Sequence, residues 1–449
     1  MPMPKPNLIV LVDMGLPAVV RVSAQAADPD GWIAALAPEA TIPAPGGGTT
    51  TYSWKGADDF RPARVAARVP SAVGSELARI VQAPPFQRVE SAWRGVRFLL
   101  DQGGEDAAIE VIAVPRTGIA EALREQVLDP VRRDERAAPL LILLDFDFGH
   151  QAADLALLGE IAEIAAELNA PAVAGASPSI FGLRHFAHLA AFPDPLGAIQ
   201  GPAHAPWREF QASEPARWIC LTLGRYLQRT PYDIESPLYR EMVAEAKPDS
   251  FLWGRGVWLV GAAAVRSLRT HGHALDLSGR GGMFTDMPWR GYPKSANESV
   301  ALSTEAPLPE MRASELAWAG FTPLAGVLRA GTILMPMVVT CSRLSPGRLT
   351  VEGSLAYQLL AARLASCLEE VLSGGRLSEG AAEALLRGAL LECLGPLAGE
   401  TPEAAVAIEI VPAGEEPGSR PCARVRVTPQ MRLEGKQPEF VFELPLRKE

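Results

Sequence analysis

The residues of this chain best placed to do chemistry are Asp145, Asp147 and His150, in the stretch DFDFGH. They close a strand pattern, Leu140–Asp145, and the carboxyl end of a buried strand is where α/β enzymes often keep functional groups. Two carboxylates and an imidazole could hold a metal or activate water for hydrolysis. Either use needs more ligands and a supporting shell than the neighbouring sequence offers. A simpler role is available. An Asp after a strand can cap the next helix, and Asp147 or His150 can satisfy backbone groups in the turn. We adopt that role and assign no catalytic, cofactor-binding or metal residue.

The other chemistry-bearing spacings are weaker. His185 and His188 in HFAH could share a helical face, yet no glutamate or third ligand has zincin spacing. His271 and His273 flank a glycine after a helix, where imidazoles favour the negative end of the dipole. SGRGGMF at Ser278–Phe284 lacks the Lys-Ser/Thr of a phosphate loop and the strand–helix setting of a dinucleotide fingerprint, so it reads as a tight turn. There is no GxSxG elbow, HExxH or kinase set. The five cysteines are scattered without a CxxC, and structural thiols in a reducing compartment are expected.

The elements that must position these residues read as α/β (α+β), with a mixed sheet core flanked by helices. Leu8–Asp13 reads as a short buried strand, and Leu140–Asp145, with no polar interruption before its closing aspartate, as a strand buried on both faces. Ala152–Leu168 carries Leu155, Leu158, Ile161 and Ala165 on one face, and Ala172–Gly175 follows as a strand, suggesting a βαβ unit. Asp28–Leu36 and Asp58–Pro70 are expected to hold helices, the first opening after an acidic cap and the second with Pro62 in its first turn. Phe86–Leu100 is amphipathic, with Phe86, Val89, Trp93, Val96 and Leu100 inward and Arg88, Glu90, Arg94 and Arg97 outward. Arg217–Leu223 fits a strand or a helix start. Phe251–Thr270 reads as a buried helix, and Leu355–Leu372 as an amphipathic one stopped by Gly374 and Gly375. Ile42–Thr51 and Glu415–Pro421 read as low-complexity connections.

Four pairings set a tryptophan near an arginine: Trp93–Arg94, Trp207–Arg208, Trp253 with Arg255, and Trp289–Arg290. Core packing with a snorkelling guanidinium is the first reading and a subunit interface the second. At the C-terminus, Val406–Ile410, Arg424–Val427 and Phe440–Leu444 alternate with period two, which predicts antiparallel strands. Such strands are available for pairing with another subunit. The candidates for exchange are Arg424, Val425, Arg426 and Val427 in one strand, and Phe440, Val441, Phe442 and Leu444 in the other. The 449 residues carry a formal charge of −10, which argues against a general nucleic-acid binder. The apolar run near the N-terminus is too short for a signal peptide, and a cytoplasmic bacterial location is expected.

Six blocks, in order, resemble the large subunit of the type VI secretion contractile sheath. PPFQRVESAWRGVRFLLDQ is similar to its early helix, through Phe86, Trp93, Arg94 and Gly95. LLDFDFGHQAADLALLGEIAEIAAELNAPAVAGASPSIFG, with Asp145, resembles its strand–acidic turn–helix block. WREFQASEPARWICLTLGRYLQRTPY resembles the run ending at Arg229, Pro231 and Tyr232. FLWGRGVWLVGAAAVRSLRTHG is similar through Trp253 and Gly254. STEAPLPEMRASELAWAGFTPLAG is similar through Gly320 and Phe321, and ARVRVTPQMRLEGKQPEFVFELP resembles the closing strand pair.

Residues 1–75 depart from that pattern. LIVLVDMG and DDFRPARVAARVP resemble the small sheath subunit instead. The division expected is therefore 1–75 small-subunit-like, 76–400 large-subunit-like, and 401–449 a strand region completing the sheath domain. The first 75 residues offer no counterpart to the large subunit's helix recognised by a recycling unfoldase. The resemblance implies a non-enzymatic structural protein that polymerises around an inner tube and contracts. Its implied partners are further copies of itself, a separate small sheath subunit, the inner tube protein and a baseplate; no cofactor, nucleic acid or membrane insertion is implied. A non-polymerising sheath or baseplate accessory is the second reading, and a hydrolase or metal site at Asp145, Asp147 and His150 the third.

Overall fold

The computed structural model describes residues 6–43, 48–68, 75–103, 106–232, 245, 248–295, 298–326, 331–343, 350–373, 379–411, 421–433 and 435–446. They form two compact units, Met1–Arg348 and Leu349–Glu449. The architecture is α/β, as expected.

The first unit is built on a seven-stranded sheet among the described residues. Its strands are β1 (Asn7–Val12), β2 (Val20–Ala24), β5 (Ala108–Ala113), β6 (Leu141–Phe148), β7 (Ala172–Ala176), β8 (Ile219–Leu223) and β14 (Thr322–Pro323). They lie in the order β14-β8-β7-β6-β1-β5-β2. Every pairing is parallel except β2 with β5. Every residue of β7 and β8 is buried, so helices and loops cover both faces and no polar alternation survives in the sequence. The predicted βαβ unit is β6, the helix Ala152–Glu167, and β7.

The chain leaves β5, passes over β1 and enters β6. A switch point therefore lies between β1 and β6, where a crevice opens at the strands' carboxyl ends. β1 sits inside this sheet, so residues 7–12 belong to the same body as the large-subunit-like strands. The expected boundary at 75 therefore marks a change of resemblance within one compact unit.

Several local readings change. Of Ile42–Thr51, expected as a connection, the two ends lie in the paired strands β3 (Glu39–Pro43) and β4 (Thr49–Ser53), and residues 44–47 lie outside the described residues. Its threonines favour extended backbone, which composition alone obscured. The predicted helix over Phe251–Thr270 is interrupted: β10 (Trp253–Arg255) pairs with β9 (Arg225–Leu227), and the helix begins at Val257. Gly254 and Gly256 weaken helix there and leave the strand pairing to win. Arg217–Leu223 divides into a 3₁₀ turn ending at Trp218 and then β8.

The helix expected from Asp28 starts at Gly31. Asp30 does not cap it through its side chain. Instead its carboxylate accepts from Ala57 N at 3.0 Å and from Trp93 Nε1 at 2.8 Å. The remaining short strands are β11 (Met283–Phe284), β12 (Arg290–Ser295), β13 (Glu298–Leu302), β15 (Ala325–Gly326) and β16 (Ile333–Leu334).

The helix Pro84–Gly103 packs against the helix Val257–His271. Gly95 is what permits it: a Cβ there would overlap the Trp258 indole. The glycine of the Trp-Arg-Gly block therefore sets the approach of two helices.

The second unit contains the helices Leu355–Ser373 and Glu379–Leu394 and an antiparallel sheet, β17 (Val406–Val411), β18 (Cys422–Val427) and β19 (Phe440–Pro445), in that order. These helices stay with the strands they pack on, so the compact division falls at 348/349. Gly374, Gly375 and most of Glu415–Pro421 lie outside the described residues.

Candidate functional site

Asp145 and Asp147 stand at the carboxyl end of β6, and two arginines bind them. Arg255 Nε donates to Asp147 Oδ1 at 2.8 Å and its Nη1 to Asp145 Oδ1 at 3.1 Å. Arg225 Nη2 donates to Asp147 Oδ2 at 2.9 Å. Arg225 and Arg255 face each other across the β9–β10 ribbon. Like charges so placed repel, and the carboxylates make the placement favourable. Gly175 on β7 leaves the room, since a Cβ there would overlap Asp147 Oδ1.

The two carboxyls respond oppositely. Burial pushes Asp145 above the usual aspartate range, and Arg255 offsets only part of that. Burial also acts on Asp147, but Arg255 and Arg225 outweigh it and hold the group below the usual range. Burial opposes the charge on Arg255, yet Asp147 and Asp145 raise its pKa above the ordinary value.

Neither aspartate caps the following helix, contrary to expectation. Asp154 does the local work, accepting from Gly149 N at 2.6 Å and from Arg116 Nη2 at 2.6 Å. Arg116 also donates to the Asp147 carbonyl at 2.7 Å. His150 is drawn away and stacks on His204 with ring centroids 4.2 Å apart. Burial, with His204 beside it, lowers its pKa. The triplet of the sequence motif is thus separated into an ion-paired seam and a histidine stack. Among the described residues, no group of three or more His, Cys, Asp or Glu side chains is placed to hold a metal.

His185 and His188 do not share a helical face, because Phe186–His188 is a 3₁₀ turn. Both border a cleft of about 720 Å³ beside the seam, with Asp13, Arg88, Asp145 and Glu305 also on its wall. His185 Nδ1 is 3.9 Å from Asp249 and 4.0 Å from Glu305. Glu305 Oε1 accepts from Phe186 N at 3.1 Å, and burial raises the Glu305 pKa. His271 ends its helix and is followed by Gly272 in a left-handed C-cap, while Ser278–Phe284 is turn-rich and ends in β11.

A second buried cluster lies on the Pro84–Gly103 helix. Glu90, expected on its polar face, is fully buried and accepts at Oε1 from Arg94 Nε at 2.9 Å and Arg229 Nε at 3.0 Å. Arg229 also grips Glu245 through both terminal nitrogens, at 2.6 and 2.8 Å. Burial disfavours that guanidinium's charge, but Glu90 and Glu245 more than restore it and raise its pKa. The i,i+4 pair Glu90–Arg94 was a readable signal. Glu245, Arg225 and Glu305 had none, being joined to their partners only by the tertiary fold. Of the Trp–Arg pairs, Trp93 and Trp207 are core residues, Trp253 is half-buried and Trp289 is exposed. Phe86, Gly254 and Phe321 are buried, and Gly320 follows the Glu310–Trp318 helix with φ +94°.

In the second unit, Val425, Val427, Phe440 and Leu444 face inward, while Arg424, Arg426 and Val441 face outward. β18 is the central strand, paired on both sides. The exchange expected for Arg424, Val425, Arg426 and Val427 therefore meets backbone already paired within the chain. Among the described residues β19 pairs only with β18, which leaves an open edge along Phe440, Val441, Phe442 and Leu444.

These features define one α/β body whose buried polar groups are spent on one another and, as a separate unit, a small antiparallel sheet with an unpaired edge among the described residues. Residues 138–335 match the family model VipB, described as EvpB/VC_A0108, tail sheath N-terminal domain. The chain is also similar to the type VI secretion system sheath protein TssC1 of Pseudomonas aeruginosa PAO1, with 26% identity over 274 residues. That match covers 56% of this chain and 55% of the relative, so the chain spans about half the length of the curated relative it matches. Both findings liken a part of this chain to sheath proteins of type VI secretion. Among the described residues no helix is long and apolar enough to cross a membrane.

Proposed function

We propose that this chain is a structural subunit of a contractile type VI secretion-like sheath, polymerising in the bacterial cytoplasm around an inner tube and contracting to drive it outward. The observation that carries the reading is the tail sheath domain match over residues 138–335, which spans the Asp145–Arg255 seam and strands β6 to β14. In this reading the sheath stores free energy in an extended lattice and releases it as subunits rotate into a wider one, with no bond chemistry. Buried ion pairs suit a body that must move without deforming. The proposed contact is main-chain pairing of a neighbour along β19, whose outer edge is unpaired among the described residues. The first 75 residues are proposed to do part of the small subunit's work. Supporting this, β1 is an inner strand of the body's sheet and Asp30 bonds to Trp93. A separate small subunit, the inner tube and a baseplate are the proposed partners.

Negative-stain microscopy of the purified chain, with and without the proteins encoded beside it, tests the reading. Tubes are expected, and discrete particles under every condition would sink it in favour of a non-polymerising accessory. Removing β19 is a poor test, because Phe440 and Leu444 are buried and Tyr357 stacks on Phe440 at 4.4 Å. Val441→Glu is cleaner, since Val441 is 53% exposed. It should leave the melting temperature unchanged and shorten or abolish tubes; full-length tubes would reject pairing at this edge.

A further inference from the structure

The five cysteines are unequal in their surroundings. Cys220 and Cys341 are sealed in the first unit's core, and Cys422 stands half-exposed on β18. Cys367 and Cys393 meet across the two helices of the second unit. The Cys367 thiol donates to the Ala389 carbonyl at 3.4 Å, and the Cys393 thiol reaches the Arg363 carbonyl at 3.8 Å. Ala389 lies one turn before Cys393, and Arg363 one turn before Cys367. Each sulfur therefore sits against the helical turn that carries the other.

That arrangement splits the two thiols chemically. The neighbouring Cys367 thiol, helped by the Arg363 guanidinium and opposed by burial, lowers the Cys393 pKa. Cys393 beside it, followed by burial, pushes Cys367 upward. Cys393 is thus the more readily ionised of the two sulfurs, and a second thiol stands beside it. Cys393 is buried, but Cys367 is half-exposed and gives a small oxidant a way in.

We propose that Cys367 and Cys393 form a thiol modification site, oxidised as a pair by a peroxide to one intrachain disulfide. The Cys393 thiolate attacks a peroxide oxygen, the O–O bond breaks, and the departing hydroxide takes a proton and leaves as water. The resulting sulfenic acid is attacked by the Cys367 sulfur. The S–S bond forms, the S–O bond breaks, and the Cys367 proton leaves with the second water. Two thiols lose two electrons and two protons to one hydrogen peroxide. The product ties Leu355–Ser373 covalently to Glu379–Leu394.

The test uses the full chain. Folded protein is treated with hydrogen peroxide at neutral pH, unreacted thiols are alkylated, and digested peptides are mapped by mass spectrometry. The expected product is a Cys367–Cys393 crosslinked peptide, two hydrogens lighter and reversible by dithiothreitol. It should form about tenfold faster than Cys422 is lost, as a thiol of lowered pKa with a second thiol beside it outpaces a solitary one. In Cys367→Ser, Cys393 should be trapped by dimedone as a sulfenic acid. In Cys393→Ser, Cys367 should stay reduced as long as Cys422 does. Circular dichroism confirms that each variant folds, and the wild-type mapping does not depend on them. Cys422 oxidising first, or both helix thiols remaining reduced after Cys422 is consumed, overturns the proposal.

Discussion

The first unit's seam and the second unit's sheet use the same residue types to different ends. Arg255 lies between Asp145 and Asp147 in a largely buried site. Arg424 lies between Glu409 and Glu443, at 3.9 and 3.0 Å, on the outer face of β18. Distances of this kind do not distinguish the two; solvent does. In the seam each charge has lost most of its water and leans on its partner, so removing one partner strands the others. On the sheet each charge keeps its hydration, and the ladder contributes little. Burial therefore decides which arginines hold the molecule together.

The largest effect should follow from breaking the seam. Arg255→Met leaves Asp145 and Asp147 without their shared guanidinium and should cost about 3–5 kcal/mol. The check is the midpoint of urea unfolding followed by circular dichroism. Arg255→Lys should recover only part of the loss, because one ammonium cannot reproduce the fork that reaches both carboxylates. A midpoint for Arg255→Met matching wild type would show that the seam carries no stability.

An intermediate effect should appear in the pH dependence, where Asp145 and Asp147 work against each other. Asp147 titrates below its unfolded value, so its contribution is full above the ordinary aspartate range near about 4 and is lost as pH falls through the folded pKa. Asp145 titrates above its unfolded value. The folded state holds that proton longer, so stability falls as pH rises from the unfolded pKa to the folded one. Asp147→Asn should flatten the acid limb of the stability curve, and Asp145→Asn should remove the decline just above it. Melting temperatures across an acid-to-neutral series measure both, and the same change of slope in the two variants would contradict the opposed shifts.

Much of the scaffold for this seam was legible. Leu140–Asp145 read as a buried strand because parallel strands covered on both faces keep no alternation, and the helix after it read from its apolar stripe. The seam itself was not legible. Asp147 draws its charge partners from Arg225 and Arg255, which meet only when β9 and β10 pair. Nothing local in the sequence encodes that pairing, and Gly254 with Gly256 hid β10 inside an apparently continuous apolar helix. Glu90 was misplaced for a related reason: a period of 3.6 assigns faces by polarity, and a buried glutamate satisfied by Arg229 breaks the rule from a distant position. The C-terminal strands read correctly because one face is wet and period two survives. Their order did not, since alternation says nothing about which strand is central.

The smallest effect should come from the sheet ladder, and it sharpens the comparison most. Arg424 touches both Glu409 and Glu443, so a count of ion pairs would rank it beside Arg255. Its guanidinium is solvated, and the two glutamates left behind in Arg424→Ala remain exposed to water and counterions. The expected urea midpoint lies within replicate error of wild type, at low and at high salt alike. Val425 and Val427 hold β18 by facing inward, and the substitution leaves them in place. A loss approaching that of Arg255→Met would mean that the outer face of β18 is covered in solution. Light scattering on the same samples would then show assemblies in wild type that the variant lacks.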